Sequence, residues 1–422
     1  MRHIRFYFLC SCLVIIALGN NVRSYAELAI IQVPVADLIG QPVPYSSSSE
    51  VVAFFHNLPP AKEPGFRECI RLHQALFHEI VTVLERKGVL VHLSLENIFF
   101  ETGGKKYTDY WTLERNIFPL SKINSVALTE KLPPAISFEA KNSITPVRTI
   151  ASTRNLMPHH RAQEVSTVTL KEPWYDAKTA RTYSAGTRFV CAHETPANQS
   201  YVIYIFHAPT KTMVTTSIPK RHCIRMYQQS PKDKIKLFVT ILTSWAHGNK
   251  NIPYVWGGSS FTKRYPPEAC TIKTFPNYVP TIKDIPKTGF DCSGLIARAA
   301  QIAKMPFFYK NSVTMAHYLR LINRNEHPEN GDIIWIPGHV MVVSNSEKNL
   351  LIEAGAYSYG YGFVHEMPLS KQFKGISTYH DLHNALLKRH PLIRLHRSGN
   401  EKQRIKEFKI LKMTSAWQAN NN

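Results

Sequence analysis

The residue best suited to covalent chemistry is Cys292, within the segment GFDCSGL at residues 289–295. The apolar spacing that follows predicts a helix over residues 292–304, so the thiol lies where a helix begins. Unpaired N–H groups there carry partial positive charge, which stabilises the nucleophilic thiolate. Ser293 and the nearby backbone can donate hydrogen bonds to a developing oxyanion. A buried structural cysteine, with Asp291 capping the helix, would leave the same pattern.

A histidine that could serve as the base, His339, follows the segment NGDIIW at residues 330–335 and begins a predicted strand. Cysteine–histidine catalysis needs the two side chains adjacent in space, which a strand packed on the cysteine helix provides. Glu353 interrupts the next apolar strand and could orient His339 from there. Each signal alone is ambiguous, because the chain has 19 histidines and a solvent-facing glutamate on a strand is ordinary.

A fourth signal is the segment PYVWGG at residues 253–258. Its glycines permit close backbone approach, and the aromatic rings of Tyr254 and Trp256 can wall a cleft. A tight turn beside a core tryptophan is the plainer interpretation.

The elements that must position these residues follow from hydrophobic spacing. Apolar residues every three or four positions predict amphipathic helices over residues 66–87 and 235–245. Short runs broken by turn residues predict a small barrel or sandwich with strands at 165–170, 187–190, 201–206 and 212–217. Three further strands are predicted at 333–336, 340–343 and 350–353.

These motifs, in this order, resemble the NlpC family of cell-wall cysteine peptidases over residues 232–368. The upstream chain resembles multidomain members with a helical stabilising segment and bacterial SH3-like barrels, and residues 149–158 look like the start of such a barrel. The resemblance implies an α+β chain with a papain-like catalytic domain. The divisions expected are a signal peptide at 1–26, an N-terminal stabilising segment with one amphipathic helix at 27–144, an SH3-like β-barrel at 145–228, the catalytic domain at 229–396 and a basic, loosely held tail at 397–422.

The resemblance also implies the chemistry, which is hydrolysis of murein stem peptides at the bond between γ-linked D-glutamate and a diamino acid. Cys292 would be the nucleophile, His339 the general base and Glu353 the residue that orients it. The substrate-binding residues would be Tyr254, Ser293, Trp256 and Asp291, with Asp291 pairing with the free amine of the L-alanine. Neither a metal nor a cofactor is expected.

Two departures from the family pattern stand out. The third position is usually His, Asn or Gln, and a carboxylate at Glu353 is expected to raise the pKa of His339. His365 is an alternative third residue. The long insert at residues 259–289 could line or cover the cleft, and a bond from its Cys270 to the catalytic cysteine would inactivate the enzyme until reduced.

The N-terminus predicts export to the periplasm or outside the cell. Residues 1–26 combine a positive start, an apolar run and small residues before a cleavage position. No later apolar stretch is long enough for a transmembrane helix. An oxidising compartment permits disulfides, and Cys191 with Cys223 is a possible bridge.

The formal net charge of +21 suits a polyanion such as the bacterial wall. Nucleic acid is disfavoured by export and by the absence of any recognition signature. The expected partners are therefore peptidoglycan or free murein stem peptides. Two alternatives remain, a murein-binding protein with a degenerate site and a papain-like acyltransferase.

Overall fold

The computed structural model describes residues 27–45, 47–58, 69–102, 104–123, 167–225, 229–265 and 286–418. The predicted signal peptide, the predicted barrel start and Cys270 lie outside these ranges. Within them, helices and antiparallel sheets are mixed in three successive regions, in agreement with the predicted mixed class. None of the helices in this part of the chain is long and apolar enough to cross a membrane.

The first region is built on a seven-stranded antiparallel sheet. Its elements are β1 (Glu27–Ile31), β2 (Val35–Ile39), α1 (Ser48–His56), β3 (Arg71–Leu76), β4 (Ile80–Lys87), β5 (Leu90–Ser94), β6 (Phe100–Thr102), β7 (Lys105–Tyr107), β8 (Asp109–Leu113) and β9 (Ile117–Pro119). The strand order is β3-β2-β8-β5-β4-β1-β9, and β6 and β7 form a separate hairpin. Helix α1 begins with a capping box between Ser47 and Glu50. It packs Val51 and Phe55 against Trp111 of the sheet.

The amphipathic helix predicted over residues 66–87 is wrong, because its described part forms β3 and β4. The two strands meet at a tight turn where His78 has a φ of +68°, which a helix does not allow. The β-branched run at residues 80–83 favours a strand, and Val81 and Val83, two positions apart on the same face, are both buried. Apolar residues every three or four positions also fit two short strands joined by a turn. Pairing within the sheet selects the strands over the helix.

The second region is all-β, as predicted. Its strands are β10 (Thr167–Leu170), β11 (Trp174–Asp176), β12 (Arg181–Tyr183), β13 (Arg188–Thr195), β14 (Ser200–His207), β15 (Thr212–Pro219) and β16 (Cys223–Ile224). Five of them form a sheet in the order β15-β14-β13-β10-β16, beside the hairpin β11-β12. No sheet among the described residues closes into a barrel, so the SH3-like classification stays a prediction. Cys191 and Cys223 both carry free thiols, so the possible bridge is not formed.

The third region carries the motifs that could do chemistry. Its elements are α2 (Pro231–Ala246), β17 (Ser259–Ser260), β18 (Gly289–Phe290), α3 (Cys292–Ile302), α4 (Ser312–Tyr318), β19 (Ile333–Ile336), β20 (His339–Asn345), β21 (Leu350–Gly355), β22 (Phe363–Pro368), α5 (Leu369–Gln372), α6 (Tyr379–Leu387), β23 (Leu392–Leu395), β24 (Glu401–Ile405) and β25 (Lys409–Leu411). The central sheet runs β22-β21-β20-β19-β25, and β23 pairs with β24. Helices α2 and α3 share a core in which Trp245 stacks on Phe290 with ring centroids 4.9 Å apart. Both predicted helices and the three predicted strands are confirmed here.

The described part of the tail, residues 397–418, is packed on the domain, so the expectation of a loosely held tail is wrong there. Strand β25 extends the central sheet, with Leu411 opposite Ile333 of β19. Lys412 then forms an ion pair of 2.8 Å with Asp332, and both side chains are almost fully buried. The polar character of the tail therefore comes from an edge strand and a buried ion pair.

The first and third regions meet along β3. The Arg298 guanidinium of α3 donates to the Gln74 and Ser259 carbonyls, each at 2.8 Å. The Ser259 N–H donates in turn to the Gln74 side-chain oxygen at 3.0 Å, and the Arg71 guanidinium donates to the Trp256 carbonyl at 3.1 Å. The N-terminal sheet therefore fixes the loop that precedes the cysteine helix.

Candidate active site

Cys292 is the first residue of α3, as its sequence context predicts. Asp291 caps the helix from an extended backbone conformation, and its side chain accepts the Gly294 N–H. Gly294 lets the first turn lie directly against the preceding loop, because a Cβ at this position would overlap the Gly258 carbonyl. The thiol is therefore held at a helix N-terminus and at the edge of the loop formed by residues 253–258.

The surroundings of the sulfur atom keep the thiol protonated at rest. Burial, followed by the negative charge of Asp291, raises the pKa of Cys292 to about 12. The backbone N–H groups of Val340 and Ser293 and the charge of Lys310 act in the opposite direction and favour the thiolate. A nearby base is needed to remove the proton.

His339, the predicted base, lies beside the backbone partner of the sulfur. It is the first residue of β20 and directly precedes Val340, whose N–H interacts with the Cys292 sulfur. The imidazole is 10% exposed, and its Nε2 is hydrogen-bonded to Glu353. Since the carboxylate can only accept, Nε2 carries the proton and Nδ1 keeps the lone pair that a general base requires. The structure thus joins His339 to Glu353 and places His339 next in sequence to the residue whose N–H interacts with the Cys292 sulfur.

Glu353 is held by a cation that sequence reasoning missed. Its Oε2 accepts from the Arg394 guanidinium at 2.9 Å and from Gln372 at 3.3 Å, in addition to His339. Arg394 lies on β23, is 2% exposed and stacks over the Tyr359 ring at 3.8 Å. The only sequence signal for such a partner was general: a carboxylate buried in an apolar strand requires a counter-charge. Its position in the chain could not be read from spacing.

Arg394 changes the electrostatics expected at His339. Burial and the Arg394 charge lower the pKa of His339, although Glu353 acts in the opposite direction. Glu353 therefore raises the pKa of His339, as predicted, but burial and the Arg394 charge outweigh this effect, so the pKa lies below its usual value. The Glu353–Arg394 pair presents His339 with a strong acceptor that carries little net charge.

The alternative third residue, His365, lies behind the carboxylate. It is opposite Glu353 in the β21–β22 register, and its Nε2 lies 3.4 Å from Oε1 of that residue. Its Nδ1 bonds the Phe363 carbonyl at 3.0 Å. Of the two candidates, Glu353 is the one bonded to His339.

The PYVWGG loop forms one side of the site. Tyr254 forms a short parallel bridge with Phe290, just before the cysteine helix. Its pKa is held well above the usual value by burial and by the neighbouring Cys292 and Asp291. Trp256 is half-buried and contributes its carbonyl to the contact with the first region.

A pocket of about 180 Å³ opens beside the cysteine. The first region contributes Cys69, Arg71, Leu72 and Phe100 to its wall, and the third region contributes Gly257, Asp291, Ser293, Lys310 and Asn311. The predicted substrate-binding residues Asp291 and Ser293 therefore face a cavity, together with residues of the first region.

Among the comparisons with known proteins, only the search of solved structures finds similar chains. No family model matches the chain, and a search of curated proteins finds no match. An NlpC/P60 family protein from Bacillus cereus aligns at 14% identity and a TM-score of 0.49, covering 84% of this chain and 97% of the other. NlpC2 from Trichomonas vaginalis aligns at 13% identity and a TM-score of 0.29, covering 82% and 94%. The peptidoglycan hydrolase RipB from Mycobacterium tuberculosis aligns at 22% identity and a TM-score of 0.22, covering 35% and 68%. At these values the neighbours do not assign a function, which must come from the site itself.

Proposed function

We propose that this protein is a cysteine peptidase that hydrolyses murein stem peptides at the bond between γ-linked D-glutamate and a diamino acid. The observation that carries the proposal is the placement of Cys292 at a helix N-terminus. Its sulfur meets the N–H of Val340, next to His339, whose imidazole is oriented by Glu353. The motifs that led to the substrate class surround this arrangement in the expected order.

The mechanism follows from the protonation states. His339 Nδ1 removes the thiol proton as the Cys292 sulfur attacks the glutamyl carbonyl carbon, and the N–H groups at the start of α3 stabilise the oxyanion. The carbon–nitrogen bond breaks when the imidazolium protonates the leaving amine, which leaves a thioester. Water, deprotonated by His339, then releases the acid and regenerates the thiol. Glu353 stabilises the imidazolium at both steps.

We also propose export, with the wall or its fragments as the partner. The signal-like segment at residues 1–26 and the net charge of +21 support this assignment, since a basic protein is attracted to an anionic wall.

The proposal is tested by incubating the protein with L-Ala-γ-D-Glu-diaminopimelate and with intact sacculi under reducing conditions. We expect diaminopimelate release from the tripeptide, and loss of that activity in Cys292→Ala. Cys191→Ala is the matched control, because Cys191 is a free thiol on the second-region sheet and does not line the pocket. Activity retained in Cys292→Ala, or no product from either substrate, would overturn the proposal. Binding to sacculi without product would favour the murein-binding alternative.

A further inference from the structure

The carboxylate expected to receive a substrate amine is already occupied. Lys310 Nζ lies 3.0 Å from Oδ1 and 2.9 Å from Oδ2 of Asp291. Oδ1 also accepts the Ser293 hydroxyl at 2.9 Å and the Gly294 N–H. The negative charge at this point of the pocket is therefore neutralised within the chain.

Lys310 is a fixed part of the pocket wall. Its side chain is 3% exposed, and its ammonium also reaches the Ser293 hydroxyl at 3.2 Å. Its backbone N–H donates to the Phe99 carbonyl at 2.7 Å, beside a bridge between Phe99 and Tyr309. The first region therefore clamps the segment that delivers the ammonium, and a buried lysine held in this way does not swing out to admit a second cation.

The other cation in the pocket wall is paired with a carboxylate as well. Arg71 lines the same cavity and is bonded to Asp37 at 2.7 Å. Among the lining residues, Arg71 and Lys310 are cationic and Asp291 alone is anionic. A substrate ammonium would lose its hydration there without gaining an unpaired carboxylate. A neutral amide would not carry this penalty, because it has no charge to desolvate.

We infer that the pocket beside Cys292 binds a stem peptide whose N-terminal α-amino nitrogen is acylated, rather than one with a free amino terminus. This inference rests on the proposed function and names its substrate class. A residue joined through an amide presents an uncharged N–H and a carbonyl, and neither group requires an unpaired carboxylate in the wall. Lys310 is thus a specificity-determining residue.

The test compares two substrates, L-Ala-γ-D-Glu-diaminopimelate with a free amino terminus and the same peptide N-acetylated. For the unmodified protein we expect kcat/KM for the acetylated peptide to equal or exceed that for the free peptide. Lys310→Met exposes the Asp291 carboxylate, and a new charge-assisted hydrogen bond is worth about 1.5 kcal/mol or more. The ratio should therefore shift toward the free peptide by about tenfold. Lys388→Met, at an exposed lysine that ends α6, is the control and should leave the ratio unchanged.

The outcomes separate this inference from the proposed function. A preference of the unmodified protein for the free peptide of about tenfold or more would overturn the inference and leave the peptidase assignment standing. Cleavage of neither peptide would overturn both. If Lys310→Met fails to fold, the ratio measured on the unmodified protein still decides.

Discussion

Replacing Arg394 with methionine removes the one strong counter-charge that Glu353 has among the described residues, apart from its imidazole neighbours. Arg394 is 2% exposed and Glu353 1%, so the carboxylate cannot recruit bulk water in its place. Breaking a buried ion pair from one side costs about 3–5 kcal/mol. His339 and Gln372 still donate to the same oxygen, so we expect a loss near the lower end, about 3 kcal/mol at pH 8.

The loss of unfolding free energy in Arg394→Met should be smaller at acid pH. Without Arg394, whose charge lowers the pKa of His339 in the native protein, that pKa rises in the folded variant. A group whose folded pKa is raised contributes stability at low pH and loses it as pH increases through that pKa. A proton taken up by His339 therefore replaces the missing guanidinium charge, and the destabilisation at pH 5 should be smaller than at pH 8.

The assay is chemical denaturation at both pH values, together with the pH profile of kcat/KM. In the native protein the acid limb should lie below pH 6.5, because the pKa of His339 is lowered from that value. In Arg394→Met the limb should move to higher pH. Arg404→Met, at an exposed position of the paired strand β24, is the control. Equal destabilisation at both pH values with an unmoved limb would refute the electrostatic role of Arg394.

Two further predictions concern the framework of the site. Gly257 has a φ of +73°, and a Cβ there would overlap the Arg71 carbonyl, so Gly257→Ala should destabilise by about 2 kcal/mol or more and lower kcat/KM. Gly104→Ala has the same φ with nothing within 4 Å, and thermal melts should show a clearly smaller loss, since only the backbone penalty applies. Lys412→Met leaves Asp332 buried without its cation, and urea denaturation should show a loss of about 3 kcal/mol. If the Lys412→Met variant were as stable as the native protein, the tail would not anchor the sheet.

The sequence predicted the parts of the site that are encoded locally. Cys292 at a helix start and His339 at a strand start both depend on short patterns, and the structure places them as expected. The partnership of Glu353 with His339 could be anticipated, since strands with a short connection usually pair as neighbours in a sheet.

The parts that sequence reasoning missed depend on contacts between distant segments. In the sequence, Arg394 and Lys310 have no feature that separates them from surface cations. In the folded protein both are buried in ion pairs with carboxylates. The segment at residues 66–87 satisfies a helical period, yet sheet pairing makes it two strands, and one of them supplies Arg71 to the pocket. Local spacing carries no information on such choices, because tertiary pairing overrides it.

The most direct test of the central claim is the alkylation of the native protein with iodoacetamide, followed by peptide mass spectrometry and peptidase assay on the same samples. Activity should fall in proportion to modification of Cys292, and the stem peptide should slow that modification. Cys191, a free thiol on the second-region sheet, serves as the internal comparison, and its modification should not track activity. Full activity in protein whose Cys292 is completely alkylated would contradict the account.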